Sequence, residues 1–142
     1  MTADAGALTA EDVLFLQRPL YGFVSTVSGA HPPQPRPVWF EVTTENTIQL
    51  FTGPASVKVR RVREDPRASI VVAAPVGERE RWVSIAGRAE VKADGARDLI
   101  SRLAARYWDL EDPERAADLA AMLTDDWVRL VIHPDKTSRY SM

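Results

Sequence analysis

The sequence contains no cysteine, and this absence removes several kinds of chemistry at once. Without thiolates there is no disulfide, no zinc–thiolate or iron–sulfur site and no cysteine nucleophile. Histidine is scarce too, since His31 lies in a proline-rich stretch and His133 directly precedes Pro134. These two residues are too far apart for a short metal-ligand motif such as H-x-x-x-H, so we expect no metal site built by the protein.

Long apolar runs and a strong net charge are also missing. No segment approaches the roughly 18 consecutive apolar residues of a membrane-spanning helix. The N-terminus, residues 1–7, is small and acidic and lacks the apolar core of a signal peptide. A net charge of -2 argues against a general nucleic-acid-binding protein, which is usually strongly basic. We therefore expect a cytoplasmic protein with neither a membrane nor a nucleic-acid partner.

The common sequence fingerprints of catalysis do not occur either. The chain lacks the phosphate-binding loop G-x-x-x-x-G-K-[ST], the dinucleotide fingerprint G-x-G-x-x-G and the nucleophile elbow G-x-S-x-G. A Ser-His-Asp triad stays open, because its members need not be close in sequence. The sequence thus names no catalytic acid, base or nucleophile.

The most informative stretch is residues 50–67, where an apolar strand end meets a short basic helix. Thr52 and Gly53 begin a turn, and Ser56 can cap the helix that follows. The helix carries four cations, at Lys58, Arg60, Arg61 and Arg63. A helix N-terminus offers unpaired N–H groups and a positive dipole end, so the pattern is typical of a phosphate-binding site. A solvated basic helix between two strands explains the same composition equally well.

Alternating apolar residues predict six strands. They cover residues 20–28, 38–43, 47–52, 68–74, 79–91 and 127–133. The strand over 68–74 is almost entirely apolar, so we expect both of its faces to be covered. Tight turns between the strands favour antiparallel pairing, and short strands in this number favour a small barrel without exposed edges.

Helices are predicted from their capping residues. Thr9 and Asp12 form an acidic capping box for a first helix, and Ser56 caps the basic one. Asp94 is expected to cap a helix that runs to Tyr107, and Asp112 with Pro113 opens another. Strands and helices together predict a single α+β domain over residues 1–142.

Two tryptophans on the predicted strands, Trp39 and Trp82, offer large apolar faces that could flank a ring system. Taken singly, each is more typical of a core residue than of a ligand contact. Lys58 and Arg61, three residues apart, project from nearly the same helix face. Together these groups suit a flat, anionic organic molecule.

Several stretches together resemble the pyridoxamine 5′-phosphate oxidase-like flavin and deazaflavin split-barrel proteins. They are residues 36–40, 52–60, 65–67, 81–91 and 128–134. Their order and spacing are most similar to the actinobacterial branch that uses coenzyme F420. The resemblance implies a six-stranded antiparallel split β-barrel of Greek-key topology. It also implies a homodimer with a cofactor in each of two grooves at the subunit interface.

The same resemblance assigns the cofactor contacts. It places the phosphate-bearing tail on Thr52, Gly53, Ser56 and Lys58, with Arg60 or Arg61 assisting. It places the cofactor ring along Pro37, Val38 and Trp39. Trp82, predicted above from its strand position rather than from the resemblance, completes the set of candidate contacts.

Three positions depart from the family pattern. Val57 stands where many relatives carry arginine or another polar residue, and Arg61 stands where asparagine is usual in the deazaflavin branch. Trp82 replaces a glutamine of the pyridoxamine oxidases, which argues against pyridoxamine oxidation. Compared with the family pattern, a positive charge is therefore absent at position 57 and present at position 61, so the tail site keeps its charge at a different place on the helix.

The resemblance implies an F420-dependent oxidoreductase that transfers hydride between the cofactor and a small organic substrate. One alternative is an FMN-dependent oxidase or reductase of the same fold. Another is a non-catalytic dimer that binds a cofactor or haem.

Overall fold

The computed structural model describes residues 7–142. All but one residue of the N-terminal segment considered for a signal peptide therefore lies outside the described residues. Within the described part, no helix is long and apolar enough to cross a membrane.

Seven antiparallel strands form one sheet. They are β1 (Gly22–Thr26), β2 (Arg36–Val38), β3 (Glu41–Val42), β4 (Ile48–Thr52), β5 (Arg67–Ala73), β6 (Arg81–Lys92) and β7 (Val128–Ser141). Their order across the sheet is β2-β1-β5-β6-β7-β4-β3. The predicted antiparallel α+β class is confirmed, but the number of strands is seven rather than six.

Four helices accompany the sheet, as predicted. They are α1 (Ala10–Leu16), α2 (Val57–Glu64), α3 (Ala96–Tyr107) and α4 (Pro113–Met122). The capping box of Thr9 and Asp12 is present, and the Ser56 hydroxyl accepts a hydrogen bond from the Val59 amide. These caps satisfy amides at the helix start that have no acceptor within the helix.

The additional strand arises because the predicted strand over 38–43 is divided in two. β2 pairs with β1 and β3 pairs with β4, yet only Trp39 and Phe40 separate them in the chain. The Phe40 amide donates to the Tyr107 hydroxyl at 3.4 Å, so it is not free for a strand ladder. Since β2 and β3 are the two edges of the sheet, this short link curls the sheet and brings its edges together.

The last strand runs to Ser141, eight residues beyond its predicted end at His133. Proline cannot donate to a strand ladder, but Pro134 lies at a register shift opposite Gly87, where the ladder is interrupted. A Cβ atom on Gly87 would lie 2.0 Å from the His133 carbonyl oxygen. Glycine at position 87 therefore allows β7 to pass close enough to continue.

The start of α3 also differs from the prediction. Gly95, with φ of 80°, is the N-cap, and no side chain caps this helix. The Asp94 carboxylate instead lies 3.6 Å from the guanidinium of Arg129, which also donates to the Asp94 carbonyl oxygen at 2.6 Å. The left-handed backbone at Gly95 and the ion pair to Arg129 together replace the predicted aspartate cap.

The inner face of the sheet carries the core, whereas part of its outer face is exposed in this chain. Ile70, Val83 and Ile85 are almost completely buried. On the opposite face, Val71 is 37% exposed, so the expectation that β5 is covered on both faces is wrong for the single chain.

Candidate anion-binding site

Helix α2 begins at the edge of a cavity of about 330 Å³. Ser56 caps the helix, and its amide donates to the Gly53 carbonyl oxygen at 3.1 Å, which closes the turn after β4. Helix geometry leaves the amides of Val57 and Lys58 without an acceptor in the helix, and both residues line the cavity. The positive end of α2 therefore contributes to this cavity.

Three cationic side chains line the same cavity, and among residues 7–142 no acidic side chain lines it. Lys58 and Arg61 come from α2, and Arg36 comes from β2. The lining is completed by Val24, Thr26, Gln34 and Val57. The concentration of positive charge without a compensating carboxylate suits an anionic ligand.

Lys58 is the best-defined member of this cluster. Its side chain is partly buried, and within residues 7–142 it forms neither a hydrogen bond nor an ion pair. Loss of hydration lowers the pKa of the Lys58 ammonium, and the charge of Arg36 lowers it further. A partly buried, unpaired cation beside a like charge is unfavourable by itself, and a bound anion would relieve that cost.

Arg61 has a neutral partner. Its Nη2 donates to the Gln34 side-chain oxygen at 3.1 Å. Other arginines in the protein pair with carboxylates, such as Arg102 with Glu41 at 2.9 Å and Arg139 with Asp12 at 2.7 Å. The charge of Arg61 is therefore left uncompensated, whereas the charges of Arg102 and Arg139 are not.

The other residues predicted for the tail lie around the cavity without lining it. Thr52 is buried at the end of β4, and Gly53 and Ser56 form the turn and cap that place α2. Arg60 is exposed on α2 and does not line the cavity. Of the two arginines that were predicted to assist Lys58, the structure therefore brings Arg61 to it.

Trp39 lies in an aromatic cluster rather than beside an open groove. Its ring stacks on Tyr107 at a centroid distance of 5.0 Å and 5° between planes, and it meets Trp108 edge-on at 4.8 Å. The neighbouring Pro37 is exposed and Val38 is partly buried at the end of β2. Among the three residues predicted along the ring, Pro37 therefore has the most accessible side chain.

Trp82 lies on another part of the sheet. It pairs with Ala73 of β5 and stacks on Tyr140 of β7 at 6.1 Å. The strand register places Trp82 two strands away from the cavity residue Val24 and offset from it by three residues along the strand direction. Strand spacings convert this to about 14 Å between Cα atoms, so Trp82 and Lys58 do not share the cavity of one chain.

Of the cavity residues that were not among the predicted site residues, Arg36 and Gln34 carry the polar groups that matter most here. Arg36 was noted in the sequence only as part of a family stretch, and Gln34 lies in a proline-rich turn without any motif. No charge pattern in the sequence marks either residue as part of a site. Their role depends on β2 lying beside α2, which the sequence pattern does not determine.

A larger cavity, of about 510 Å³, lies on the other side of Thr26, which lines both cavities. It is lined mainly by small side chains, and Arg67, which lines it as well, is paired with Asp65 at 2.7 Å. Arg67 donates hydrogen bonds to Asp65, which lowers the pKa of the Asp65 carboxyl to about 2. This cavity therefore lacks the unpaired cations of the first, and the carboxylate of Asp135 also lines it. No group of residues between 7 and 142 has a composition and arrangement suited to a metal ion.

These observations define a class: a small, curled antiparallel sheet with a cation-lined cavity where a strand edge meets a helix N-terminus. The family model for pyridoxamine 5′-phosphate oxidase matches residues 8–131, and the chain belongs to this family. The comparison with curated proteins gave no match.

Solved structures agree with this assignment. The fold is similar to that of an F420 reductase, with a TM-score of 0.67 at 26% identity over 87% of this chain and 92% of that one. It is also similar to the conserved hypothetical protein Rv2991 from Mycobacterium tuberculosis, with a TM-score of 0.72 at 23% identity over 99% and 88% of the two chains. A FAD-binding protein from Mesorhizobium loti gives 0.65 at 18% identity over 95% and 96%. The latter two likenesses concern the fold alone.

Proposed function

We propose that this protein is an oxidoreductase that binds coenzyme F420 and transfers hydride between the cofactor and a small organic substrate. The observation that carries the proposal is the partly buried Lys58 beside Arg36 and Arg61. In the described part of the chain, Lys58 has no partner and no carboxylate lines the cavity. The similarity to an F420 reductase favours F420 among the cofactors with an anionic tail.

The residues of the cavity fit the phosphate-bearing tail of such a cofactor. Lys58, Arg61 and Arg36 would provide charge-assisted hydrogen bonds, and the amides of Val57 and Lys58 would add donors at the helix N-terminus. When bound, the cofactor supplies the hydride chemistry, and the protein supplies binding, orientation and exclusion of water. We assign no side chain as proton donor.

FMN is the second candidate, because the chain belongs to the pyridoxamine 5′-phosphate oxidase family and a FAD-binding protein shares its fold. The two cofactors are compared by titrating the purified protein with each and following fluorescence. We expect micromolar or tighter binding of F420, and weaker binding of FMN.

If FMN binds more tightly than F420, the assigned cofactor is a flavin and not a deazaflavin. If neither binds, the proposal is contradicted. Turnover is then measured as oxidation of reduced F420 with a panel of quinones and enones. Tight binding without turnover on any acceptor would support a non-catalytic carrier instead.

We also propose that the protein is a homodimer, as family resemblance implies. Phe23, Val71, Trp82 and Tyr140 are 43%, 37%, 36% and 45% exposed. The strand register places Phe23 opposite Val71 and Trp82 opposite Tyr140. Ala73, two residues after Val71 on the same face, lies opposite Trp82 and links the two pairs into an apolar strip on the outer face. An exposed strip of this kind is a common site of association between subunits.

Val71→Asp tests the dimer, because it places a charge in the strip at a position that is already partly exposed. In a two-fold symmetric interface each substitution acts twice, and burying one such side chain is worth about 1.5–3 kcal/mol. We expect a dimer for the native protein and a monomer for Val71→Asp in size-exclusion chromatography with light scattering. A native monomer would contradict this assignment, and the exposed Val76→Asp provides the control.

A further inference from the structure

Gln34 and Arg61 form a hydrogen bond between two segments that are separated by 27 residues in the chain. Gln34 precedes β2, whereas Arg61 lies on α2, and both line the anion-binding cavity. The bond therefore connects the two walls of the cavity.

The position of Gln34 is restricted by its neighbours. It lies between Pro33 and Pro35, and a steric clash with the Cδ of Pro35 disfavours the helical region for Gln34 and favours an extended conformation. A segment of this kind loses little conformational entropy when it is held in place. Gln34 can therefore hold the flexible side chain of Arg61 at small entropic cost.

The chemistry of the acceptor matters as much as its position. A glutamine oxygen accepts a hydrogen bond from a guanidinium without cancelling its charge, whereas a carboxylate would also neutralise it. Arg67 shows the other arrangement, since its guanidinium is paired with the Asp65 carboxylate outside this cavity. In the anion-binding cavity the arginine is oriented while its full charge stays available.

We propose that Gln34 is a positioning residue, which orients the guanidinium of Arg61 toward an anion in the cavity and leaves its charge uncompensated. The inference rests on the proposed function for the identity of the natural ligand, but not for the binding of an anion. It predicts that residue 34 acts on the ligand through Arg61.

The test is a double-mutant cycle with Gln34→Met and Arg61→Met, using inorganic pyrophosphate as the probe in calorimetry. Methionine is close to glutamine in size but offers no comparable acceptor. We expect Gln34→Met to weaken binding about 3- to 10-fold and Arg61→Met about 10- to 100-fold. In the double variant, Gln34→Met should add almost nothing to the effect of Arg61→Met.

Gln34→Glu separates position from charge. It keeps an acceptor for Arg61 but adds a negative charge to the cavity, so we expect at least about a 10-fold loss of pyrophosphate affinity and a shallower salt dependence. Gln17→Glu, at the exposed end of α1, makes the same change in net charge outside the cavity and should bind as the native protein does. Melting temperatures should stay the same in all these variants.

Additive effects in the cycle, or equal affinities for Gln34→Glu and Gln17→Glu, would overturn the inference. The same variants titrated with F420 distinguish it from the proposed function. Coupled effects on pyrophosphate with no binding of F420 would refute the function and keep the inference. Tight F420 binding with additive effects at positions 34 and 61 would support the proposed function and refute the inference about Gln34.

Discussion

Replacing Lys58 by methionine should separate the role of this residue in binding from any role in stability. Lys58 is partly buried beside Arg36, and no residue between 7 and 142 pairs with it. A hydrogen bond to a charged group contributes about 1.5–3 kcal/mol. We therefore expect Lys58→Met to weaken cofactor binding by about 10- to 150-fold.

An upper limit on the attraction between Lys58 and a bound anion is of the same order as this loss of binding free energy. Two unit charges 4 Å apart attract by about 4 kcal/mol at an effective dielectric constant of 20. Solvent screening of a partly exposed side chain, and the cost of removing water from both ions, reduce this value. A loss within the range given above is consistent with one charge-assisted contact, and a larger loss would require further rearrangement of the site.

Stability should respond in the opposite direction. Burial first, and then Arg36, lower the pKa of Lys58, so the charged form is less favourable in the folded protein than in the unfolded chain. A neutral side chain removes this cost, and the free energy of unfolding of the ligand-free protein should stay the same or rise. The native protein should also lose cofactor affinity at alkaline pH, below the pH at which an ordinary lysine titrates, and Lys58→Met should lack this loss.

The assay is fluorescence titration with F420, paired with urea unfolding of the same samples. Arg63→Met is the matched control, because Arg63 is an exposed cation on the same helix and does not line the cavity. Unchanged affinity in Lys58→Met would refute the assignment of the tail site. A similar loss in Lys58→Met and Arg63→Met would indicate a general effect of helix charge.

Three further substitutions test how the fold holds this site. Asp12 is buried, with 1% exposed, and burial by itself raises the pKa of its carboxyl. Hydrogen bonds from Arg139 and Thr9 outweigh burial and lower this pKa. The stability that Asp12 contributes should therefore be present above the ordinary aspartate pKa and be lost as the pH falls through the lowered value. Asp12→Asn should cost about 1–3 kcal/mol at pH 7 in urea unfolding and flatten the acid side of the profile; an unchanged profile would contradict this. Tyr107→Phe removes the hydroxyl that donates to the Leu20 carbonyl oxygen at 2.6 Å, and should cost about 1–3 kcal/mol in thermal unfolding, unlike the more exposed Tyr21→Phe. Gly87→Ala should cost at least about 1–3 kcal/mol because a Cβ would meet backbone, whereas Gly29→Ala meets nothing within 4 Å, and equal melting temperatures would refute the role of Gly87.

The sequence by itself determined the features that depend on neighbours along the chain. The caps at Thr9, Ser56 and Asp112 were predictable because a capping side chain bonds to amides two or three residues away. The alternation along β6 was predictable because side chains of a strand point to opposite faces in turn. The resemblance to the family was equally visible from the order of short stretches.

Tertiary structure alone decided where strands end and which partners they have. β2 and β3 separate because the Phe40 amide bonds to Tyr107, far along the chain, and β7 continues past Pro134 because Gly87 faces it. Neither partner is visible in a local pattern, since both depend on the register of distant segments.

The candidate site divides along the same line. Lys58 and the helix N-terminus were evident from the sequence, because a turn, a cap and a basic helix follow one another directly. Arg36 and Gln34 join them only because the curled sheet places the segment before β2 beside α2. The shortage of negative charge around these cations is a property of the cavity and not of the sequence, since acidic residues elsewhere in the chain pair with other arginines.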